Sequence, residues 1–389
     1  MTRHAQTMRM LEQARPPELS PAPDPDRRQR DLAMAMSQPP ATEMTRAAAW
    51  QAPLVARPGR LALVGGLAAA IAVAVGLTLA APPAGRGDPN ATPTESAPAL
   101  LLAAAGRVEA GPATTPGRYW LGTSRVGSLQ QVGPAADRYR LLVQGEVQLW
   151  LSTVPGDPQG LVDRPLGAAP ATDADRAAWR RDGSPTQWTI QTGLGKSYVL
   201  SASAGPLTSW VGPLPGWSLV TGGESFTTAQ LLDLPTTPAA LRAFLVRTFN
   251  DLHDPLADGG LDSYLYDAGT QILTELPATP AIRGAAYRML AQLPDVRNLG
   301  PLTLPTGGRG QAIARTHQDA EGEYDAILVF NPSTGDTVGT ESRMIKAGPV
   351  HPWIPPGTVF QYRAVTHAGW TDGPPPPRQI AGIPATSLK

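Results

Sequence analysis

The histidines are the first candidates for chemistry in this sequence, because imidazole serves both as a metal ligand and as a general base. No two of the five lie within one helical turn, and only His253 is followed directly by a carboxylate, Asp254. A metal site could be assembled from His317, His351 and His367 if neighbouring strands brought them together. We favour the alternative of scattered surface or loop histidines, and we predict no metal ion and no cofactor.

A short glycine–lysine–serine stretch, Gly195-Lys196-Ser197, resembles the end of a phosphate-binding loop. The complete motif needs a glycine five positions before Gly195, and Ile190 stands there. The stretch also lies between two segments with strand character instead of opening a helix. It therefore predicts a β-hairpin.

Other nucleophile and acid–base patterns are incomplete. A serine hydrolase elbow needs Gly-x-Ser-x-Gly, and neither Gly127-Ser128 nor Gly183-Ser184 extends to it. Glu321 and Glu323 flank a glycine before a strand, which favours a solvated turn over an acid–base pair. The chain has no cysteine, which excludes disulfides, thiolate metal sites and cysteine nucleophiles. We therefore predict no catalytic residues and a protein that is not an enzyme.

Two tryptophans, Trp210 and Trp217, lie among glycines and prolines in a long irregular stretch, residues 202–225. Loops of more than 20 residues are uncommon in compact domains and are frequently functional. Aromatic side chains in such a loop line an apolar pocket or cover the core of their own domain. We predict an apolar ligand pocket near Trp210 and Trp217, with core packing as the alternative.

The strongest sequence feature is the stretch from Leu61 to Ala81, which runs 21 residues without a charge. That length crosses a hydrocarbon core of about 30 Å as a helix and shows no polar stripe. Arg46, Arg57 and Arg60 precede it, which predicts a cytoplasmic N-terminus and an extracytoplasmic C-terminal part. A cleaved signal peptide is the alternative, disfavoured by the sixty residues before the apolar run.

Composition divides the rest of the chain. Residues 1–60 carry nine arginines and six acids, whereas the whole chain has a net charge of zero, so neither part is basic enough for direct nucleic-acid binding. We predict that residues 1–60 form a cytoplasmic arm, mostly disordered or in short helices, with folding on a cytoplasmic partner as the alternative. Residues 82–99 are predicted to be a proline-rich stalk, and residues 371–389 a disordered tail.

Residues 100–370 carry the globular pattern. Strand-like alternation comes first, most clearly in residues 137–152, where six apolar side chains share one face. Helical spacing follows near residues 238–252, 261–276 and 280–293, with Thr237-Pro238 and Thr279-Pro280 as start signals. Strands resume from residue 311. This order predicts an α+β domain with a curved, mostly antiparallel sheet and inserted helices.

Several motifs in this order resemble an uncharacterised actinobacterial family of single-pass membrane proteins, often encoded beside extracytoplasmic-function sigma factors. The matching stretches span most of residues 100–370. They are Tyr119-Trp120, Val147-Gln148-Leu149-Trp150, the stretch 234–241, the stretch 285–294, the stretch 308–312 and Phe330-Asn331-Pro332-Ser333-Thr334-Gly335, in which Asn331 stands where the family has Asp. The family's ectodomain is similar to the half-barrels of LolA-type lipoprotein carriers and RseB-type sigma-E regulators.

The resemblance implies a membrane-anchored extracytoplasmic domain that binds or senses an apolar ligand or an envelope protein, with a cytoplasmic arm that acts on a sigma factor. The family has no established catalytic residues, so none is transferred. The alternative is an envelope hydrolase, or a lipid or lipoprotein carrier, whose site the sequence does not display. The zinc-binding motif of anti-sigma factors, His-x-x-x-Cys-x-x-Cys, does not occur in residues 1–57.

Overall fold

The computed structural model describes residues 95–112, 115–191, 197–219, 225–251 and 260–379. The predicted cytoplasmic arm, transmembrane helix and most of the stalk lie outside these ranges. Within them, no helix is long and apolar enough to cross a membrane. The single-pass topology therefore stays a prediction from the sequence.

Helices begin where side chains can cap them. Thr237 Oγ1 accepts a hydrogen bond from the amide of Ala240, and Thr279 Oγ1 accepts one from the amide of Ile282, which satisfies backbone groups that a helix start leaves unpaired. Proline follows each cap, as predicted. The helices of the described residues are α1 (Ala97–Glu109), α2 (Asp173–Arg181), α3 (Thr228–Leu232), α4 (Pro238–Asn250), α5 (Gly260–Thr274) and α6 (Pro280–Leu290).

The strands lie before and after the consecutive helices α3 to α6 in the sequence. Before it come β1 (Tyr119–Val132), β2 (Tyr139–Ser152), β3 (Gly160–Pro170), β4 (Gln187–Gln191), β5 (Ser197–Ser201), β6 (Thr208–Ser209), β7 (Trp217–Ser218) and β8 (Ser225–Phe226). After it come β9 (Arg297–Thr303), β10 (Arg309–Asp319), β11 (Gly322–Phe330), β12 (Thr337–Ala347) and β13 (Val359–Thr371).

Nine of these strands form one curved antiparallel sheet in the order β6-β3-β2-β1-β13-β12-β11-β10-β9. The two halves of the chain meet at its centre, where β1 pairs with β13 from Tyr119 opposite Thr371 to Ser128 opposite Gln361. The prediction of an α+β domain with a curved antiparallel sheet is confirmed. The likeness to a half-barrel stays a prediction.

One face of the sheet packs against the helices. We call it the inner face, and define it by Leu149, Leu151, Ile313 and Leu328, which share the main apolar cluster with α1 and α3 to α6. Side chains alternate between the faces along each strand, so the register assigns the remaining positions. The face opposite to it is called the outer face.

A second apolar cluster covers the far end of the inner face. Tyr139 and Leu141 of β2 pack there with Ala178 of α2 and with Trp188 and Tyr198 of the β4–β5 hairpin. Strands β4 and β5 pair in antiparallel register, with Gln191 opposite Ser197, as the predicted hairpin requires. Gly195 and Lys196 themselves lie outside the described residues.

Several elements were not predicted. Strand β3 contains Pro165 and Gly167, which weaken a strand pattern, and α2 is short and polar. The tail predicted to be disordered is described as far as Gln379, whose backbone amide donates to Ser209 O at 3.0 Å. The irregular stretch 202–225 contains the short strands β6 and β7 and the first residue of β8.

Candidate functional site

Helix α5 crosses the inner face with an unusual distribution of side chains. Its apolar residues Leu265, Ala268 and Ile272 are buried in the main cluster together with α4 and α6. Two of its polar residues, Ser263 and Asp267, face Arg315 and His317 of the sheet. An ordinary surface helix places its polar side toward water, so this arrangement creates a buried polar layer between α5 and the strands.

The first contacts of this layer lie over β10 and β11. Arg315 Nη1 donates a hydrogen bond to Ser263 Oγ at 2.6 Å, and the Tyr266 hydroxyl donates to Ala326 O at 3.0 Å. The Nε of Arg315 is buried and has no hydrogen-bond partner among the described residues. The helix is thus fixed to the sheet through polar contacts that leave part of the guanidinium unsatisfied.

One turn along α5, His317 approaches Asp267. His317 Nε2 lies 3.8 Å from Asp267 Oδ1, which exceeds hydrogen-bond distance, and His317 is only 4% exposed. Burial and the nearby Arg315 lower the pKa of His317 to about 3, so the ring is neutral at physiological pH. Its Nε2 contacts no hydroxyl group at hydrogen-bond distance within the described part of the chain. The pair therefore lacks the geometry of an activated nucleophile.

The layer ends beyond the C-terminus of α5. Glu275 Oε1 lies 3.3 Å from the Nε of Arg363, and the Glu275 carbonyl accepts a hydrogen bond from Trp120 Nε1 at 2.8 Å. Both charged side chains are largely buried. We define the polar layer as Ser263, Asp267 and Glu275 with Arg315, His317 and Arg363.

Next to the polar layer, the inner face is partly exposed. Val126 of β1 and Val143 and Val147 of β2 point to this face by alternation, and each remains partly accessible to solvent. They lie between the main cluster, which includes Leu149, and the second cluster, which includes Leu141. We define the valine strip as Val126, Val143, Gly145 and Val147.

A buried carboxyl group borders the valine strip. Asp163 of β3 pairs with Val147 across the strands and is 9% exposed. A Cβ added at Gly145 would lie 3.4 Å from Val126 Cγ2 and 3.8 Å from Asp163 Oδ1, which places the carboxyl group beside the strip. Burial raises the pKa of Asp163 to about 7. Among the residues that the structure describes, we find no hydrogen bond or ion pair to this carboxyl group.

A second polar group on the same face lacks a partner. Gln361 of β13 pairs with Ser128 of β1 and with Ser342 of β12, and is 6% exposed. Its Oε1 is buried without a hydrogen-bond partner in the described ranges. Buried polar atoms are almost always hydrogen-bonded to protein, water or ligand, and Gln361 Oε1 is an exception among the described residues. Together with the largely buried Asp163 carboxyl group, it marks the inner face as a candidate binding site.

A separate acidic group surrounds the β10–β11 hairpin. Burial and the neighbouring Asp319 raise the pKa of Glu321 to about 9, and Glu321 Oε1 lies 3.8 Å from His351 Nε2. Burial lowers the pKa of His351. The Tyr324 hydroxyl donates to Asp319 Oδ2 at 3.0 Å. These groups close the hairpin against the loop before β13 and lie outside the valine strip.

The residues singled out from the sequence lie elsewhere. Trp217 is 4% exposed, belongs to the main cluster, and pairs with Phe226 of β8. Trp210 is partly exposed, and its backbone amide donates to Leu161 O at 2.7 Å. The pocket near these two tryptophans stays a prediction. Among the histidines, His317 is buried and His367 exposed, and the described residues contain no group of three or more His, Cys, Asp or Glu side chains that could hold a metal.

Sequence reasoning did not find Asp163, Gln361 or Arg363. One signal was present in β3, where Asp163 directly follows the apolar residues Leu161 and Val162. A charged residue at an inner position of a strand is unusual, but recognising it requires that β3 be identified as a strand first.

Comparisons with known proteins add no assignment to these observations. A scan against protein-family models gave no match, and searches of curated proteins and of solved structures gave none either.

Proposed function

We propose that this chain is a single-pass membrane-anchored extracytoplasmic protein that binds or senses a small amphiphilic ligand on the inner face of its sheet. The observation that carries the proposal is that partly exposed valines border Asp163, a largely buried carboxyl group without a hydrogen bond to any described residue. Gln361 Oε1 on the same face is also without a hydrogen-bond partner in the described ranges. Ligand sites in proteins combine apolar walls with a few such polar groups.

Binding fits the geometry better than catalysis. His317, the buried imidazole of the polar layer, has an unpartnered Nε2 among the described atoms and a carboxylate at 3.8 Å, without a hydroxyl nucleophile at hydrogen-bond distance. Arg363 is held by Glu275 and is therefore a fixed, neutralised part of the wall. The inner face thus provides an apolar surface and fixed polar groups that can bind a ligand.

The cellular part of the proposal rests on the sequence. The apolar stretch 61–81 anchors the chain, and the arginine-rich residues 1–60 extend into the cytoplasm, where a sigma factor is the proposed partner. In this arrangement the extracytoplasmic domain binds a ligand from the envelope, and the cytoplasmic arm signals the bound state to the sigma factor. The motif resemblance in residues 100–370, which implies a half-barrel ectodomain, is the basis for the same assignment.

Photolabelling of the full chain in membrane vesicles tests ligand binding. A long-chain alcohol that carries a diazirine in its alkyl chain should label peptides from residues 119–152, and excess unlabelled alcohol should suppress this labelling. Labelling of residues 61–81 reports contact with the bilayer and should resist competition. Labelling confined to residues 61–81, or labelling of β1 and β2 that resists competition, would contradict the proposal.

A matched pair of variants locates the site. Val147→Phe places a bulky ring in the valine strip and should reduce the competed labelling of β1 and β2. Glu146→Phe adds the same ring on the outer face of the same strand and should leave that labelling unchanged. Equal losses in both variants would show that the label does not report the inner face.

A further inference from the structure

The charged side chains around the valine strip indicate which charge the head group of the ligand carries. Asp163 lies beside Gly145 and opposite Val147, so its carboxyl group borders an apolar surface. A carboxylate in such a place is costly unless a cation or hydrogen-bond donor accompanies it. None of the described side chains supplies one to Asp163.

Arg363, which lies on the inner face of β13, does not fill this role. Arg363 pairs with Val126 in the register, but its guanidinium is held by Glu275 at 3.3 Å. The arginine that follows Asp163 in sequence, Arg164, is exposed and points to the outer face by alternation. With Arg363 and Glu275 neutralising each other, an ionised Asp163 leaves one net negative charge on this part of the face.

We propose that the valine strip binds an amphiphile with an alkylammonium head group, whose cation pairs with Asp163 while its alkyl chain lies along Val126, Val143 and Val147. This inference rests on the proposed function and adds the charge of the ligand to it. An ammonium group supplies both the positive charge and the hydrogen-bond donors that the carboxylate lacks.

The proposal predicts a preference among ligands of equal chain length. A long-chain alkylamine should compete for photolabelling of β1 and β2 at least about tenfold more strongly than the alcohol with the same chain. The matching fatty acid should compete less well than the alcohol, because its carboxylate is repelled by Asp163. Experiments at about pH 8 keep the amine protonated and lie above the Asp163 pKa of about 7.

The variant Asp163→Asn separates charge from shape. It keeps the size of the side chain and should abolish the preference for the amine while retaining competition by the alcohol. Glu146→Gln removes a carboxylate from the outer face of β2 and should leave the preference intact.

The outcomes distinguish this inference from the proposed function. Equal competition by amine and alcohol in the unmodified chain would overturn the inference and leave the proposed binding function in place. Retention of the amine preference in Asp163→Asn would overturn it as well. Because the comparison of amine, alcohol and acid needs only the unmodified chain, the test holds even if the variant does not fold.

Discussion

Tyr362 lies across from Gly127 in the β1–β13 pair, and its ring occupies the space that a side chain at Gly127 would need. The Tyr362 hydroxyl accepts a hydrogen bond from Gln144 Nε2 at 2.7 Å, which fixes the ring on the outer face. A Cβ at position 127 would lie 2.2 Å from Tyr362 Cε1, which is far inside van der Waals contact. Glycine at position 127 therefore leaves room for the Tyr362 ring at the centre of the sheet, where β1 and β13 pair.

This relationship predicts opposite effects for two glycines in adjacent strands. Gly127→Ala should lower the free energy of unfolding by about 1–3 kcal/mol, because the buried Tyr362 ring must move. Gly145→Ala should be neutral or raise it by up to about 1 kcal/mol, because its Cβ makes ordinary contacts and a glycine in a strand costs entropy. Chemical denaturation of both variants provides the measurement, and equal destabilisation would contradict the assigned faces.

The helix core gives a second prediction. Leu290 is fully buried, and a Cβ at Gly269 would lie 2.9 Å from its Cδ2, so α5 and α6 are in close contact there. Leu290→Ala should therefore cost about 2–5 kcal/mol of stability. Arg288, two residues earlier, pairs with Glu109 of α1 at the surface, and Arg288→Ala should cost less than about 1 kcal/mol. A similar loss in both variants would show that the helix is rotated from the described packing.

The helices were predictable because their signals are local. The caps Thr237 and Thr279 each lie next to a proline, and the apolar spacing that follows them needs no partner to be recognised. The curved antiparallel sheet followed from the alternation in β2 and from the order of strands and helices. Strand β9 was missed because Gly300 and Pro301 interrupt it, although β10 pairs with it on one side.

The candidate site was not predictable, because it is built from contacts that are distant in sequence. Ser263 contacts Arg315 of β10 and Glu275 contacts Arg363 of β13 only because α5 runs across the strands β10 to β13. The polar side of α5 suggests a solvent-exposed surface when only the sequence is considered. Asp163 can be recognised as a residue of the inner face only from the strand register, which places it opposite Val147.

Substitution of Trp217 tests whether this residue packs in the core or lines the pocket predicted from the sequence. Its side chain is 4% exposed in the main cluster beside Phe226, so Trp217→Ala should cost about 3–5 kcal/mol of stability. Trp210→Ala, at a partly exposed position, is the matched control and should cost less. Thermal unfolding measures both, and a stable Trp217→Ala that loses competed photolabelling would instead support a pocket at this residue.

Protease accessibility tests the topology. The arginines before residue 61 predict that protease added to intact protoplasts removes the extracytoplasmic domain and leaves residues 1–60 protected. An epitope tag at each end, detected by immunoblotting, reports the two parts separately. Protection of the C-terminal tag would reverse the orientation, and recovery of an intact soluble domain without protease would indicate signal-peptide cleavage.

The buried Glu321 predicts a specific dependence of stability on pH. It is 1% exposed, and burial raises its pKa to about 9 in the folded state, from an ordinary value of 4.5. The folded chain therefore holds a proton that the unfolded chain releases, so this group's contribution falls as the pH rises from about 4.5 to 9, by at most about 1.4 kcal/mol per pH unit.

Glu321→Gln removes the titration and keeps the size of the side chain, so its stability should decline less with rising pH in this window than that of the unmodified chain. Glu323→Gln changes a partly exposed glutamate of the same hairpin and should retain the original slope. Denaturation at a series of pH values gives the slopes directly. An unchanged slope in Glu321→Gln would mean that Glu321 is ionised in the folded state, and the 3.8 Å separation from His351 would then describe a buried ion pair.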